Sequence, residues 1–479
     1  MQSSVSFVLD KKVTRIDFGD TKTFTPTTTV LNYLRSLPDH KGVKEGCAEG
    51  DCGACTVVLG ELDADNTIRY KSVDSCLLFL PMIQGKQLVT VENLKDGARQ
   101  LHPVQQAMVD EGGSQCGFCT PGIIMSMFSL YKNCNNPSRQ EIDEALTGNL
   151  CRCTGYKPII VAAAKACTRS AQDHLTSDES IIVQLLKSIP KESIHIRTEK
   201  QNYFRPVSLG EAITLKHHHP KAVVISGATD IALRVTKLNE VLSEIIDLSG
   251  VSELKQYSEN ESSVIIGTGL SLQDAMPVIK KHFGALYEMI TVFGSQQIRN
   301  LATFGGNLGT ASPIGDTLPV LLAYDARILL EGINGKREIA LDKFFIGYRS
   351  TARKHDELIT AILIPKPKKG TVVKSYKVSK RKDLDIATVS GGFQLKMNDR
   401  DEVESINLSY GGMAETVRRA LKAEQYFIGK HWERKNVEHA MSLLDSEFHP
   451  ITDVRGSAEM RRIIARNLLM KFWNETRMS

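Results

Sequence analysis

No stretch of this chain approaches the ~20 consecutive apolar residues that a membrane-spanning helix requires. Its opening, Met1-Gln2-Ser3-Ser4-Val5-Ser6-Phe7, lacks the basic flank and long apolar core of a secretory leader. The expectation is therefore a cytoplasmic protein with no membrane partner. Charge of one sign is missing too: 60 Lys and Arg face 55 Asp and Glu, a net +5 over 479 residues, too small an excess to argue for a nucleic-acid partner. There is no internal repeat or low-complexity tract, and Gly (35) and Pro (16) are at ordinary levels, which excludes collagenous and wholly disordered readings.

What the chain does have is length and cysteine. Its 479 residues suggest about three domains at roughly 150 residues each. Ten cysteines in a reducing compartment point to metal-binding or catalytic roles rather than disulfides.

Val5 to Asp10 and Lys12 to Phe18 read as strands, and Thr27 to Leu37 as a helix stopped by Pro38. His102 to Glu111, Ile123 to Asn133, Ser138 to Leu146 and Ile159 to Cys167 carry apolar residues at helical spacing between Gly, Pro or Asn breaks, which predicts a helical domain. Around Ser170-Ala171-Gln172-Asp173-His174 the chain is polar and non-periodic, so 168–197 is expected to be a solvated linker. Strand-like runs (Ala222 to Ser226, Val264 to Gly267) then alternate with helical ones (Asp230 to Lys237) to about Pro367. Beyond it come strand patterns at Val372 to Val378, Gly391 to Met397 and Ser405 to Ser409, then helices at Val417 to Gly429 and Ala458 to Trp473. The fold class read from this pattern is multi-domain α+β.

Cys47, Cys52 and Cys55 stand at C-x4-C-x2-C spacing, with Cys76 further on; this is the spacing of a plant-type ferredoxin loop. Thiolates suit iron and sulfide, and a glycine-rich loop lets the backbone wrap a 2Fe-2S cluster and aim N–H groups at its sulfurs. Cys116-Gly117-Phe118-Cys119 and Cys151-Arg152-Cys153, on either side of a predicted helical hairpin, offer four more thiolates. The alternatives are a four-cysteine zinc site, whose usual knuckle is two C-x2-C pairs, and a redox C-x2-C motif. Cys134 and Cys167 fit neither set and read as buried small apolar residues.

These two motifs are similar to those of the iron-sulfur and flavin part of the xanthine dehydrogenase group of molybdenum hydroxylases. The match runs over Glu45 to Cys55, Gln115 to Gly122 and Gly148 to Tyr156. The resemblance implies a ferredoxin-like β-grasp 2Fe-2S domain (1–88) and a four-helix 2Fe-2S domain (89–167). After the linker it implies a two-part α+β FAD-binding domain of the xanthine dehydrogenase and vanillyl-alcohol oxidase type (198–367) and a C-terminal α+β domain (368–479). It also implies that Gln115 and Cys153 face the molybdopterin of a partner.

Val223-Val224-Ile225-Ser226-Gly227-Ala228-Thr229-Asp230 reads as a strand running through a glycine turn into a helix, a place where backbone N–H groups can meet a pyrophosphate. Any strand-turn-helix can carry such a glycine, so the segment alone is weak. Gly267-Thr268-Gly269 has Leu272 at the third glycine position of the dinucleotide fingerprint, and a Rossmann reading fails. The run Thr303-Phe304-Gly305-Gly306-Asn307 through Asp316 has four glycines for close backbone approach and several polar side chains. The same family resemblance implies FAD contacts at Val223 to Asp230, Phe293, Thr303 to Asn307, Asp316, Ile359 and Lys377. It places Tyr348, in Phe344-Phe345-Ile346-Gly347-Tyr348-Arg349, on the flavin face where nicotinamide docks, and Asp385 by the NAD site. Leu384 departs from the paired acids of some relatives. His217-His218-His219 is expected to be a surface turn, since adjacent side chains diverge.

The resemblance stops with the C-terminal domain, leaving no segment for molybdopterin, so it implies a separate molybdopterin-binding large subunit and a heterotetramer of two heterodimers. Electrons from hypoxanthine or xanthine oxidation to urate would run through both clusters to FAD and then NAD, with no catalytic acid or base in this chain. A hydroxylase for another heterocycle or an aldehyde, and a stand-alone electron carrier, remain alternatives.

Overall fold

The computed structural model describes residues 3–19, 23–95, 100–168 and 173–477. They fall into two compact units: the first is Met1–Leu215 with Lys221–Val251 and Gly294–Ala302, the second Lys216–Pro220 with Ser252–Phe293 and Thr303–Ser479. Among the described residues no helix is long and apolar enough to cross a membrane.

The first unit opens with the hairpin Ser4–Leu9 and Lys12–Asp17, whose turn residues Asp10 and Lys11 take left-handed φ values of 51° and 59°. Gln87–Val89 runs parallel to Ser4–Leu9 and antiparallel to Thr56–Leu62, which pairs in turn with Ile68–Asp74, completing a five-stranded sheet. Helix Val30–Ser36 begins where the Thr29 side chain accepts the Asn32 N–H. It buries Val30, Leu31 and Leu34 against Val5, Phe7 and Val57 of the sheet. Each such fully buried side chain contributes about 1.5–3 kcal/mol. This is the β-grasp arrangement.

Helices Pro103–Asp110, Thr120–Asn133, Arg139–Leu146 and Lys157–Ala166 follow. The third starts at a capping box in which Ser138 and Glu141 satisfy each other's backbone N–H groups. The helices bury Val104, Met127, Phe128, Ile142 and Ile159 in one core with Val58 and Tyr70 of the preceding sheet. Cys167 is buried there as expected, but Cys134 is only half-buried, its thiol turned toward the Glu141 carboxylate.

The expected linker over 168–197 is a correction. Ser170 to Gln172 lie outside the described residues, but His174–Ser177 and Glu179–Ser188 are helices and Ile194–Arg197 is a strand. The reason is a buried stripe beneath a polar surface: Leu175, Ile182, Leu186 and Ile189 join the core of the four helices. Ile194–Arg197 starts a mixed sheet in the order Ile194–Arg197, Asn202–Arg205, Glu244–Asp247, Val223–Ile225, the last three parallel. His217 and His218, expected in a turn, instead end helix Leu209–His218.

The second unit contains an antiparallel sheet in the order Tyr257–Glu259, Ser263–Gly267, Leu358–Pro365, Arg327–Gly332, Gly335–Ala340. A second sheet runs Thr371–Val378, Val389–Met397, Val403–Gly411, Arg418–Arg419, with helices Leu421–Phe427, Arg434–Glu447 and Ala458–Thr476. Phe393 packs against Tyr410 and Phe472 at the centre of its core. The helix expected from Val417 is a strand for its first turn, because Arg418 and Arg419 pair with Tyr410 and Ser409.

Candidate functional site

All eight candidate cysteine ligands lie in the first unit, and the fold gathers them in pairs. Cys47, Cys52 and Cys55 sit in the loop before strand Thr56–Leu62, and Cys76 follows strand Ile68–Asp74. The antiparallel pairing of those strands, Thr56 opposite Asp74, is what brings Cys76 beside Cys55. The loop turns at Ala48, Gly50 and Gly53, all with positive φ. That turn aims three N–H groups at sulfur: Cys47 N–H at Cys52 Sγ (3.3 Å), and the N–H groups of Glu49 (3.5 Å) and Asp51 (3.3 Å) at Cys47 Sγ. Backbone donors to sulfur are what a thiolate-held iron site uses to tune its potential.

Cys116 and Cys119 flank Gly117 (φ 82°) just ahead of helix Thr120–Asn133. Cys151 and Cys153 lie in the turn before helix Lys157–Ala166, where the Cys151 N–H donates to the Tyr156 hydroxyl (2.9 Å). Cys116 and Cys153 are exposed, as is Gln115.

Within the sets, Cys47 is electrostatically paired with Cys52, Cys55 with Cys76, Cys116 with Cys153 and Cys119 with Cys151. The bond from Cys52, helped by backbone N–H groups, brings the Cys47 thiol down to about 5, while Cys52 is driven up by the same bond. The Phe118 N–H and Cys153 lower Cys116 as Cys153 rises. Burial lifts Cys119 to about 12, whereas at Cys151 burial is outweighed by Thr154 and backbone donors, and its thiol is lowered. In the Cys47–Cys52, Cys116–Cys153 and Cys119–Cys151 pairs one thiol is lowered while its partner rises, as when two sulfurs share a proton. Among the described residues no three His, Cys, Asp or Glu side chains converge on a single-ion site. Two pairs per set is instead what a two-iron cluster needs, with two thiolates for each iron.

The flavin candidates are divided between the units. In the first, strand Val223–Ile225 enters the turn Ser226 to Asp230, with Ala228 left-handed at φ 58°, ahead of helix Ala232–Thr236. A Cβ on Gly227 would stand 1.8 Å from the Leu301 carbonyl oxygen, so glycine alone permits this crossing.

In the second unit the first part of the glycine-rich run is a helix, Phe304–Thr310. Thr303 caps it by accepting the Gly306 N–H (3.0 Å). The Gly305 N–H donates to Thr268 O (3.1 Å), and the Thr268 hydroxyl donates to Ile359 O (2.5 Å), so Thr303 to Asn307 and Ile359 share one seat. Lys377 Nζ donates to Asp316 Oδ2 (2.7 Å) and to Val292 O (2.8 Å), next to Phe293. Burial raises the Asp316 carboxyl against the pull of Lys377, and its Oδ1 is buried with no hydrogen-bond partner. An orphaned buried acceptor of that kind fits a ligand hydroxyl. A cavity of about 330 Å³ is lined by Glu288, Val292, Lys377, Arg381 and Lys382 among others; of the flavin candidates it takes in Lys377 alone. Tyr348 is 65% exposed, while Phe344 is buried. Asp385 is engaged by Arg381, which lowers its carboxyl, and Leu384 beside it holds a left-handed φ of 69°.

Three family models match the chain. One described as the [2Fe-2S] binding domain covers residues 90–164. The FAD binding domain in molybdopterin dehydrogenase covers 197–367, and the CO dehydrogenase flavoprotein C-terminal domain covers 374–476. Curated relatives include the xanthine dehydrogenase of Emericella nidulans, 31% identical over 94% of this chain and 37% of its own length. The xanthine dehydrogenase/oxidase of Gallus gallus is 31% identical over 98% of this chain and 40% of its own length. The chain belongs to the molybdenum hydroxylase family. It spans about two fifths of the length of those relatives.

Among solved members of the molybdenum hydroxylase family, a chain of the carbon monoxide dehydrogenase from Hydrogenophaga pseudoflava superposes with a TM-score of 0.54 at 25% identity. It covers 58% of this chain and 96% of its own. A chain of quinoline 2-oxidoreductase from Pseudomonas putida 86 shares the fold (TM-score 0.53, 22% identity, 58% and 98% covered). Iron-sulfur and FAD-binding domains of this family make the chain's role electron transfer. Several residues around these sites escaped the sequence reading. Thr268, in the discarded Gly-Thr-Gly, seats Gly305. Thr236 and Lys237 donate to the Ala48 and Cys47 carbonyls from the helix after the Gly227 turn. Asn149, inside the matched motif, bonds Gly53 of the other cysteine loop. Only the motif around Asn149 gave any local signal; the other contacts join residues too far apart in sequence.

Proposed function

We propose that this chain relays electrons from a molybdenum centre on a partner chain through two 2Fe-2S clusters to FAD, and on to NAD, during oxidation of hypoxanthine or xanthine to urate. The observation that carries the reading is the gathering of eight thiols into two paired sets in one unit, with the Leu150 N–H of one loop bonded to Cys52 O of the other (3.0 Å). Clusters of this kind pass single electrons, and a bound flavin collects two and releases them as hydride. The chain's own residues bind, space and tune. Cys47, Cys52, Cys55 and Cys76 hold one cluster, and Cys116, Cys119, Cys151 and Cys153 the other. The exposed Gln115, Cys116 and Cys153 form the entry face toward the partner's molybdopterin. Val223 to Asp230, Phe293, Thr303 to Asn307, Asp316, Ile359 and Lys377 hold FAD, while Tyr348 and Asp385 meet the nicotinamide cofactor.

The test is purification with any co-purifying chain, then anaerobic reduction. About four irons per chain, two for each cluster, flavin and iron-sulfur absorption, bleaching by xanthine and recovery with NAD are expected. A colourless protein, or one holding zinc, would overturn the relay. A second substrate reading, another heterocycle or an aldehyde, is favoured by the likeness to quinoline 2-oxidoreductase and carbon monoxide dehydrogenase; bleaching by such a substrate but never by a purine would decide for it.

A further inference from the structure

Between the two cysteine sets lies a side chain that touches neither ligand set directly and is used to its full hydrogen-bonding capacity. Asn149, 3% exposed, stands two residues before Cys151. Its Nδ2 donates to Gly53 O (3.0 Å) and Thr56 Oγ1 (3.2 Å). Its Oδ1 accepts from Ser126 Oγ (2.6 Å) and from Gln297 Nε2 (2.9 Å). An amide has two donors and two lone pairs, and here all four are taken. Gln297 is fully buried, and its Nε2 also donates to Ser126 Oγ (2.8 Å).

The backbones on either side touch without side chains between them. A Cβ on Gly53 would lie 2.2 Å from Gly148 O, and one on Gly122 would lie 2.1 Å from Gly53 O. In the gap that these glycines leave, the Leu150 N–H reaches Cys52 O at 3.0 Å. A continuous path therefore runs from the Cys52 side chain through its carbonyl, across one hydrogen bond, and along the backbone to Cys151. One end belongs to each set.

We infer that Asn149, braced by Gln297, is a positioning residue that holds the Cys52–Leu150 contact as the electron bridge between the two thiolate sets. The inference rests on the relay reading above. Were each set to hold its cluster, a transfer would oxidise one cluster by one electron and reduce the other by one, with no proton moved and no bond broken. Asn149 therefore acts on distance and coupling, not on chemistry. Gln297 Oε1 is itself buried without a partner, and losing Asn149 would leave further buried donors and acceptors of the network unpaired.

The test uses the full chain, purified with its iron. In N149A, iron content and the midpoint potentials of both clusters should match the wild type. Intercluster electron transfer after a reducing pulse should slow by about tenfold or more, within the range that a misplacement of an ångström or less costs in positioned reactions. The magnetic splitting between the two reduced clusters should shrink. A merely structural role would alter iron content or melting temperature and leave the rate per loaded chain unchanged; that result overturns the inference. Should N149A not load iron, Q297A, which removes the brace and leaves the Gly53 link, carries the test: a slower transfer supports the role and a wild-type rate overturns it. A wild-type chain without iron would overturn the relay itself and this inference with it, whereas a relaying wild type matched by N149A would overturn the positioning alone.

Discussion

Lys237 sets a cation against one cysteine loop: its Nζ donates to Cys47 O (3.0 Å) and stands 3.4 Å from the Glu49 carboxylate. A nearby positive charge favours whichever redox state is more negative, here the reduced cluster. The ammonium is half-exposed, so water and salt screen it. An interaction of ~0.5 kcal/mol, typical of exposed pairs, corresponds to about 20 mV for one electron. K237M should therefore lower the midpoint potential of the Cys47 cluster by that order. The cluster of Cys116, Cys119, Cys151 and Cys153 serves as the internal standard in the same titration. No shift, or an equal shift in both, would count against the assignment. The cysteines were legible in the sequence because ligand spacing is a local property of a loop. Lys237 and Gln297 were not, because their contacts join residues 190 and 148 positions apart and no periodicity or spacing records such a meeting.

At the scale of elements, the segment after the four helices shows how a polar sequence can hide a buried one. Asp173 caps helix His174–Ser177 by accepting the Thr176 N–H (2.7 Å), and its carboxylate also receives His102 Nε2 (2.9 Å) and Lys132 Nζ (3.1 Å). His102 accepts the Val104 N–H through Nδ1 at the head of its own helix, which leaves Nε2 as the donor to Asp173. All three side chains are nearly inaccessible, so a cap residue in the expected linker and a histidine and a lysine from two of the helices form one buried polar cluster. The helices with apolar residues at 3.6 spacing were legible for the opposite reason: their buried faces are apolar and periodic.

Burial pushes Asp173 up, but His102, Lys132 and the Thr176 N–H outweigh it and hold the carboxyl well below its usual range. A carboxylate depressed in the folded state stabilises above its unfolded pKa of about 4, and that stability is lost as pH falls toward the folded value. D173N should cost about 3 kcal/mol at neutral pH, as removal of one partner from a buried charge cluster does. The gap from wild type should narrow below about pH 4. Urea unfolding at neutral and acid pH measures both; a gap that is absent, or that does not change with pH, would show that the cluster stores no charge energy.

At the scale of the whole molecule, the two units have separate cores, and on the proposed reading only one of them depends on iron. All four thiol pairs lie within Met1–Leu215, which belongs entirely to the first unit. The second unit holds none of the eight cysteines, and a core cluster in it is built on Phe393, Tyr410, Trp432 and Phe472. A group that binds only the folded state stabilises the unit that binds it, by about 4 kcal/mol when present at a thousand times its dissociation constant. For units of this size each kcal/mol moves a melting temperature by roughly 2–4 °C. Calorimetry should therefore resolve two transitions. Stripping the iron under reducing conditions should lower one of them by about 10 °C or more while the other keeps its temperature. The transition that moves can be assigned with C55S, since Cys55 is buried just ahead of strand Thr56–Leu62, which pairs with the strand that leads to Cys76. C55S should show the lowered transition even before iron is removed. If both transitions fall together, the paired cysteines stabilise the molecule as a single cooperative body, and the division into an iron-dependent and an iron-independent half would not hold.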